Sequence, residues 1–212
     1  MRVLVGCESS GKTREAFRRR GHEAYSCDLL PASDGSAAHF QADIRYVLRH
    51  FRNYFDLFIV HPTCTFLCNS GVKHLYINGN KANGPYLPRW EQMREAAAFF
   101  KEMFETDAVE RVVAENPIMH GHAQRIVGCG PTQIIQPWQF GHPEFKATCL
   151  WERGVEPLVP TNVLVPPKPG TEEHKLWSRV HRMLPGPKRW QQRSETLQGH
   201  ADAYAEQWGV VA

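Results

Sequence analysis

The chain has 212 residues, 42% of them hydrophobic, with 25 Lys and Arg against 22 Asp and Glu and a formal net charge of +3. That length suits one α/β domain with a full core and is short for two, and so mild a charge excludes a chain that is basic throughout, leaving room only for a local cationic groove. No stretch reaches the roughly 18 consecutive apolar residues of a membrane span, the apolar N-terminus is too short for a secretory signal, and the six cysteines are too scattered for a secreted disulfide scaffold; the expectation is a soluble, cytoplasmic protein with reduced thiols and no membrane partner.

Arg2 to Val5 reads as an apolar strand, followed by a Gly-containing turn, a helix from about Lys12 to Arg20, Gly21, and a strand from Glu23 to Cys27 that closes at Asp28. A loop rich in Pro, Ser, Gly and Asp leads to Ala42-Asp43-Ile44, where another short element begins. Leu57 to Val60 has the look of a buried strand and runs directly into His61-Pro62-Thr63-Cys64. Asn69 to Arg89 is interrupted by Gly71, Gly79, Gly84, Pro85 and Pro88, the composition of a lid or substrate loop. From Arg89 to Thr106, Trp90, Met93, Ala97, Phe100 and Phe104 recur at helical spacing. A second apolar run, Val112 to Ala114, ends in Glu115-Asn116-Pro117, and strands follow at about Gln133 to Trp138 and Lys146 to Trp151. Pro157 to Pro187 is rich in proline and reads as an extended wrapping segment, and the last element is a helix from about Gly199 to Trp208, stopped by Gly209. This alternation predicts a Rossmann-like α/β fold with a mostly parallel sheet, residues 1–151 forming the core and residues 152–212 a wrapping segment and helix of the same domain.

Open α/β sheets place their chemistry at the carboxyl ends of strands. Cys64 and Glu115 both stand there, and they meet if their strands are neighbours. A thiolate that adds to C6 of a pyrimidine turns C5 into a nucleophile, and an acid at N3 neutralises the charge this leaves on the ring. The pair therefore suggests covalent chemistry on a cytosine or uracil, with Cys64 as nucleophile and Glu115 as the N3 partner. Taken singly, each has a plainer account, the cysteine as packing and the glutamate as a helix-capping acid.

Five segments occur in a telling order: Val5-Gly6-Cys7-Glu8-Ser9-Ser10-Gly11 with Arg14-Glu15-Ala16-Phe17 and Gly21-His22; Asp28; Ala42-Asp43-Ile44; His61-Pro62-Thr63-Cys64; and Glu115-Asn116-Pro117. Together they resemble the motifs of the C5-cytosine DNA methyltransferase family, most closely its compact members carried by phages and prophages. The resemblance implies a Rossmann-like, S-adenosylmethionine-dependent methyltransferase fold that methylates C5 of cytosine in DNA or a related pyrimidine nucleotide. It implies that Glu8, Ser9, Ser10 and Gly11 cradle S-adenosylmethionine, that Asp28 binds its ribose and Asp43 lies at its adenine, and that His61 and Pro62 also face the cofactor. Cys64 and Glu115 are then catalytic, and Thr63, Asn116, Pro117, His142 and Lys146 face the substrate, with no metal required.

The chain departs from that family at three places. Thr63 stands where a second proline is expected before the nucleophile. The arginine-bearing motif should fall near Gln136 to His142, where no arginine occurs, so Lys146 or His142 would substitute without a bidentate fork. The segment that reads DNA sequence shrinks to roughly Trp151 to Trp190, so there is no substantial target-recognition domain.

Other readings stay open. Gly6-Cys7-Glu8-Ser9-Ser10-Gly11-Lys12-Thr13 satisfies the phosphate-loop pattern between a strand and a helix, which would make the chain a nucleotide-binding kinase or NTPase; against this, Asp28 follows Gly6 by roughly 20 residues, the spacing of an acid that meets a ribose. A catalytically lapsed methyltransferase-like nucleotide-binding protein is a third class. Cys64, Cys68, His120, His122, His142 and Cys149 match no common zinc-ligand spacing. Arg18-Arg19-Arg20 is explained by the helix dipole and solvation, and Lys188-Arg189-Trp190 with Arg193-Ser194 has the mix of charge and aromatic of a single-strand contact.

Overall fold

In the computed structural model, which describes residues 1–184, 186, 193 and 196–210, the apolar runs become the centre of one seven-stranded sheet. β1 (Arg2–Gly6) lies between β2 (Glu23–Asp28) and the later strand Leu57–Val60. With β3 (His39–Gln41) outside β2, that later strand is β4, and it pairs on its far side with β5 (Arg111–Pro117); all of these pairings are parallel. The last two strands are β6 (Gln133–Ile135) and β7 (Thr148–Arg153), with β7 set antiparallel between β5 and β6. The order β3-β2-β1-β4-β5-β7-β6 is mostly parallel and compatible with a Rossmann-like fold. Its switch point falls between β1 and β4, where a doubly wound sheet opens a crevice at the strands' carboxyl ends.

Successive side chains of a strand face opposite sides. Leu4, Phe58, Val60, Val112 and Ala114 pack under α2 (Ile44–His50), α3 (Leu87–Phe104) and α4 (Gly121–Val127), after α1 (Lys12–Arg19) has crossed to the opposite face. There Val3, Val5, Leu57, Ile59 and Val113 meet α1 and the C-terminal helix, α7 (Gln198–Gln207), which follows the short α5 (Glu172–Trp177) and α6 (Arg179–Arg182). Phe17, Tyr204 and Trp208 are at most 1% exposed in this second layer. The arginine cluster belongs to it: Arg19 pairs with Asp202 at 2.7 Å and Arg20 with Glu206 at 3.1 Å, fastening α1 to α7.

Several boundaries differ from the sequence reading for local reasons. α3 begins at Leu87, because Pro88 sits in its first turn, where a missing N–H costs nothing. The strand expected to run to Trp138 stops at Ile135, since Pro137 opens a 3-10 turn over Pro137–Gln139. The stretch expected as a loop after Asn69 folds into 3-10 turns at Asn69–Leu75, Ile77–Gly79 and Lys81–Asn83, anchored by Leu75 at 1% exposure and by a bridge between Tyr76 and Pro85. His120 accepts the N–H of Ala123 and so caps α4, a helix that the glycine beside it concealed. The wrapping segment is held at Leu158, whose N–H and C=O bond to the Gln133 side chain, before α5 and α6 interrupt it. Lys188, Arg189, Trp190 and Ser194 lie outside the described residues. Among the described residues, no helix is long and apolar enough to cross a membrane.

Candidate functional site

The chain leaves β1 through Cys7, a non-glycine residue at φ +57°, a left-handed conformation that costs about 1–3 kcal/mol and persists only when its surroundings enforce it. The turn drives Glu8 inward, to 4% exposure. Its carboxylate accepts the amide N–H groups of Thr13 at 2.7 Å and Arg14 at 3.3 Å, with Ser10 Oγ at 3.4 Å. It thus satisfies the first turn of α1, whose N-cap is Gly11 at φ +72° with no side chain to offer. Glycine is required there, because a Cβ would fall 2.8 Å from Asp34 Oδ2. Asp34 in turn pairs with Arg14, which is fully buried and donates to Ser26 Oγ at 2.8 Å.

These contacts give part of the expected cofactor loop a structural role. Glu8 caps the first turn of α1, and Gly11 is buried. Ser9 binds Ser33 through its carbonyl, and Ser10 Oγ accepts the N–H of Lys12, so both shape the loop from within. The same contacts weigh against the phosphate-loop reading. The amides that would wrap a phosphate already hold a carboxylate, and Thr13, the residue expected on magnesium, is fully buried.

Beside this loop, Asp28 closes β2, with Oδ1 accepting the N–H of Leu30 at 2.9 Å. Leu29 and Leu30 follow at 73% and 52% exposure. Gly6 pairs with Cys27, so Cys7 and Asp28 stand at adjacent strand ends, and the Cys7 thiol is pushed up to about 12, first by burial and then by Asp28. Asp43 itself caps α2, accepting the N–H of Arg45 at 2.8 Å, so its carboxylate is engaged locally instead of reaching for a base.

The second half of the site follows from register. Val60 pairs with Ala114, so the next residues, His61 and Glu115, stand side by side at the ends of β4 and β5. His61 Nδ1 lies 2.8 Å from Glu115 Oε2, with the side chains 14% and 15% exposed. Burial alone would raise the Glu115 pKa, but His61, with help from Lys146 and His200, holds it at about 2. Burial alone would likewise lower His61, but Glu115 and Glu8 carry it above 6.5 against the opposing Lys146. Each thus favours the charged form of the other, and His61 is a close neighbour of Glu115.

Cys64 follows directly. Its carbonyl accepts the N–H groups of Leu67 and Cys68, both at 3.0 Å, so the half-buried thiol opens a tight turn. Burial raises the thiol pKa most, Cys68 and Glu115 add to it, and Lys146 pulls it down. Lys146 therefore acts on Cys64, His61 and Glu115 together, and the thiol and carboxyl expected to share a site lie within each other's field. Pro62 is buried and its carbonyl accepts a hydrogen bond from Asn116 Nδ2 at 2.8 Å, so Asn116, 1% exposed, braces the turn between the two strand ends. Thr63 is exposed at the tip, and Pro117 ends β5 paired with Thr148.

His142 does not supply the missing cation. Its Nε2 accepts the N–H of Gly199 at 2.7 Å in the first turn of α7, and burial pushes its pKa down, so it is a neutral cap. Lys146 remains as the cation at the site. His200, 3% exposed on α7 and pushed down to about 4 chiefly by burial, lies within the field of Glu115; nothing in the sequence around it pointed to the site, because α7 reaches it only through the fold. All six cysteines are free thiols, and among the described residues no group of His, Cys, Asp and Glu has the arrangement of a metal site. Compared with known proteins, the sequence matches no family model and no curated protein.

Proposed function

We propose that the chain transfers a methyl group from S-adenosylmethionine to C5 of a cytosine, or of a related pyrimidine, through a covalent adduct on Cys64. The observation that carries this reading is the placing of His61 and Glu115 side by side at the ends of β4 and β5, with Cys64 three residues beyond His61 in the turn that leaves β4.

The rim formed by Cys7, Asp28, Leu29 and Leu30 fits an adenosyl ligand by its chemistry, with a carboxylate for ribose hydroxyls and exposed apolar side chains for a base. The Glu8 carboxylate on the α1 amides favours a ligand without phosphate, as S-adenosylmethionine is. When bound, S-adenosylmethionine supplies an electrophilic methyl group. Cys64 Sγ forms a bond to C6 of the pyrimidine as its thiol proton is released, and the electron pair displaced from the C5–C6 double bond is delocalised on the ring. Lys146 favours the thiolate that this requires. The His61–Glu115 pair holds one proton between imidazole and carboxyl, and passing it to N3 through Glu115 neutralises the ring. Once C5 carries the methyl group, N3 returns its proton to the Glu115–His61 pair, C5 gives its proton to solvent, the C5–C6 double bond reforms and Cys64 leaves from C6 as the thiolate.

Mass spectrometry of acceptors incubated with the protein and methyl-labelled S-adenosylmethionine tests the reading. The label is expected at pyrimidine C5, and Cys64→Ala is expected to bind S-adenosylmethionine but transfer nothing. Unchanged turnover in Cys64→Ala refutes the covalent step, and cofactor binding with no transfer to any acceptor by the intact protein favours a lapsed enzyme.

A further inference from the structure

Between Asp56 and Glu91 the chain has no acidic residue, yet it carries Lys73, Lys81 and Arg89. The segment is therefore cationic with no acid inside it to offset the charge. The fold gathers that segment. The 3-10 turns after Cys64 and the first turn of α3 enclose an open groove of about 810 Å³, lined by residues that include Lys73, His74, Tyr76, Ile77, Tyr86 and Arg89.

The groove lining is made to be touched. Tyr86 and Ile77 are 51% and 43% exposed, and Lys73 and His74 are exposed beside them. Tyr76 is fixed in place, its ring edge-on to Trp90 with centroids 6.3 Å apart and its hydroxyl 3.3 Å from His122 Nε2. The groove also leads directly to the nucleophile. Arg89, in its wall, donates to the carbonyl of Thr65 at 2.7 Å, one residue beyond Cys64, and its guanidinium lies 4.3 Å over the ring of Phe66.

We propose that this groove binds single-stranded nucleic acid and leads the strand to Cys64, so that the acceptor is a pyrimidine within a strand and not a free nucleotide. This identification of the acceptor rests on the methyl-transfer reading above; the binding itself does not. Exposed aromatic faces recognise base faces, and a duplex buries its base faces against one another, whereas an unpaired strand offers them. The cations meet the phosphates between those bases.

The test is fluorescence anisotropy of the full chain carrying Cys64→Ala, without S-adenosylmethionine, on a labelled cytosine-containing oligodeoxynucleotide of about a dozen nucleotides. The same sequence as a duplex, and a polyglutamate competitor, complete the set. The strand is expected to bind more tightly than its duplex and to resist polyglutamate. Tyr86→Ala is expected to weaken strand binding about tenfold, and Lys73→Ala to flatten the dependence of log K on log salt by about 0.7 for the phosphate no longer neutralised. These side chains are exposed, so an unchanged melting curve separates a binding defect from an unfolded protein. Wild-type affinity in both variants, duplex binding as tight as strand binding, or displacement by polyglutamate overturns the proposal. Methyl transfer to a free cytidine nucleotide without strand binding also overturns it while leaving the chemistry of Cys64 standing; strand binding that depends on Tyr86 upholds the groove even where no methyl transfer is found.

Discussion

Glu115→Gln separates charge from shape at the centre of the site. Glutamine keeps the size of the side chain but removes the negative charge that raises the His61 pKa. In the intact protein Glu115 is held at about 2 against an ordinary 4.5, and with only 15% of its side chain exposed solvent screens little of the interaction. At about 1.4 kcal/mol per tenfold, this amounts to about 3 kcal/mol, in line with the roughly 3–5 kcal/mol lost when one partner of a buried ion pair is removed. Urea unfolding at neutral pH should show that loss.

The pH dependence should change as well. A carboxyl depressed in the folded state contributes stability above 4.5 that drains away as the pH falls toward 2, and an imidazole raised in the folded state contributes stability below 6.5 that is lost as the pH rises through its folded value. The intact protein therefore gains most from the pair between 4.5 and 6.5. In Glu115→Gln, burial and Lys146 act on His61 unopposed by its main partner, its pKa drops below 6.5, and stability should decline as the pH falls past that value. Urea titrations across this range, with an NMR titration of the His61 ring, follow both effects. A variant within about 0.5 kcal/mol of the intact protein, whose His61 titrates as before, would show that the two residues are neighbours without being a pair.

Asp28→Ala should weaken S-adenosylmethionine binding in calorimetry by about tenfold, the value of one hydrogen bond to a charged group, while the fold is held to within about 0.5 kcal/mol; a large fall in stability would mark Asp28 as a structural acid. Glu8→Ala uncovers the amides of Thr13 and Arg14 and should cost about 2–3 kcal/mol in thermal or urea unfolding. An unchanged midpoint there would reopen the phosphate-loop reading, since the α1 amides would then have no need of that carboxylate.

The sequence announced those parts of the fold that rest on a local pattern. β1, β4 and β5 are uninterrupted apolar runs, and α3 carries its stripe over five turns, so their existence was plain. β3 has three residues between polar loops, and α4 opens with Gly121 and a histidine cap, so neither has a period long enough to read. The orientation of β7 is set by its pairing with β5, which no stretch of sequence states. The same division runs through the site. The positions of Cys64 and Glu115 after two apolar strands were legible because strand ends are, and the register of β4 and β5 then sets Glu115 beside His61. The engagements of Glu8, Asp43, Asn116 and His142 were not, because an acid or amide near a loop looks the same whether it awaits a ligand or satisfies a backbone amide.

The fastening of α1 to α7 sets a condition on how the molecule comes to be made. Val3, Val5, Leu57 and Ile59 leave a ribosome well over a hundred residues before Ala201, Tyr204 and Trp208, which form part of their cover. Through that interval this side of the nascent sheet has no lid, and exposed strands of this kind adhere to one another or to chaperones. Closing this face thus waits on α7, and a chain halted before residue 198 would be left with a wet, adhesive flank.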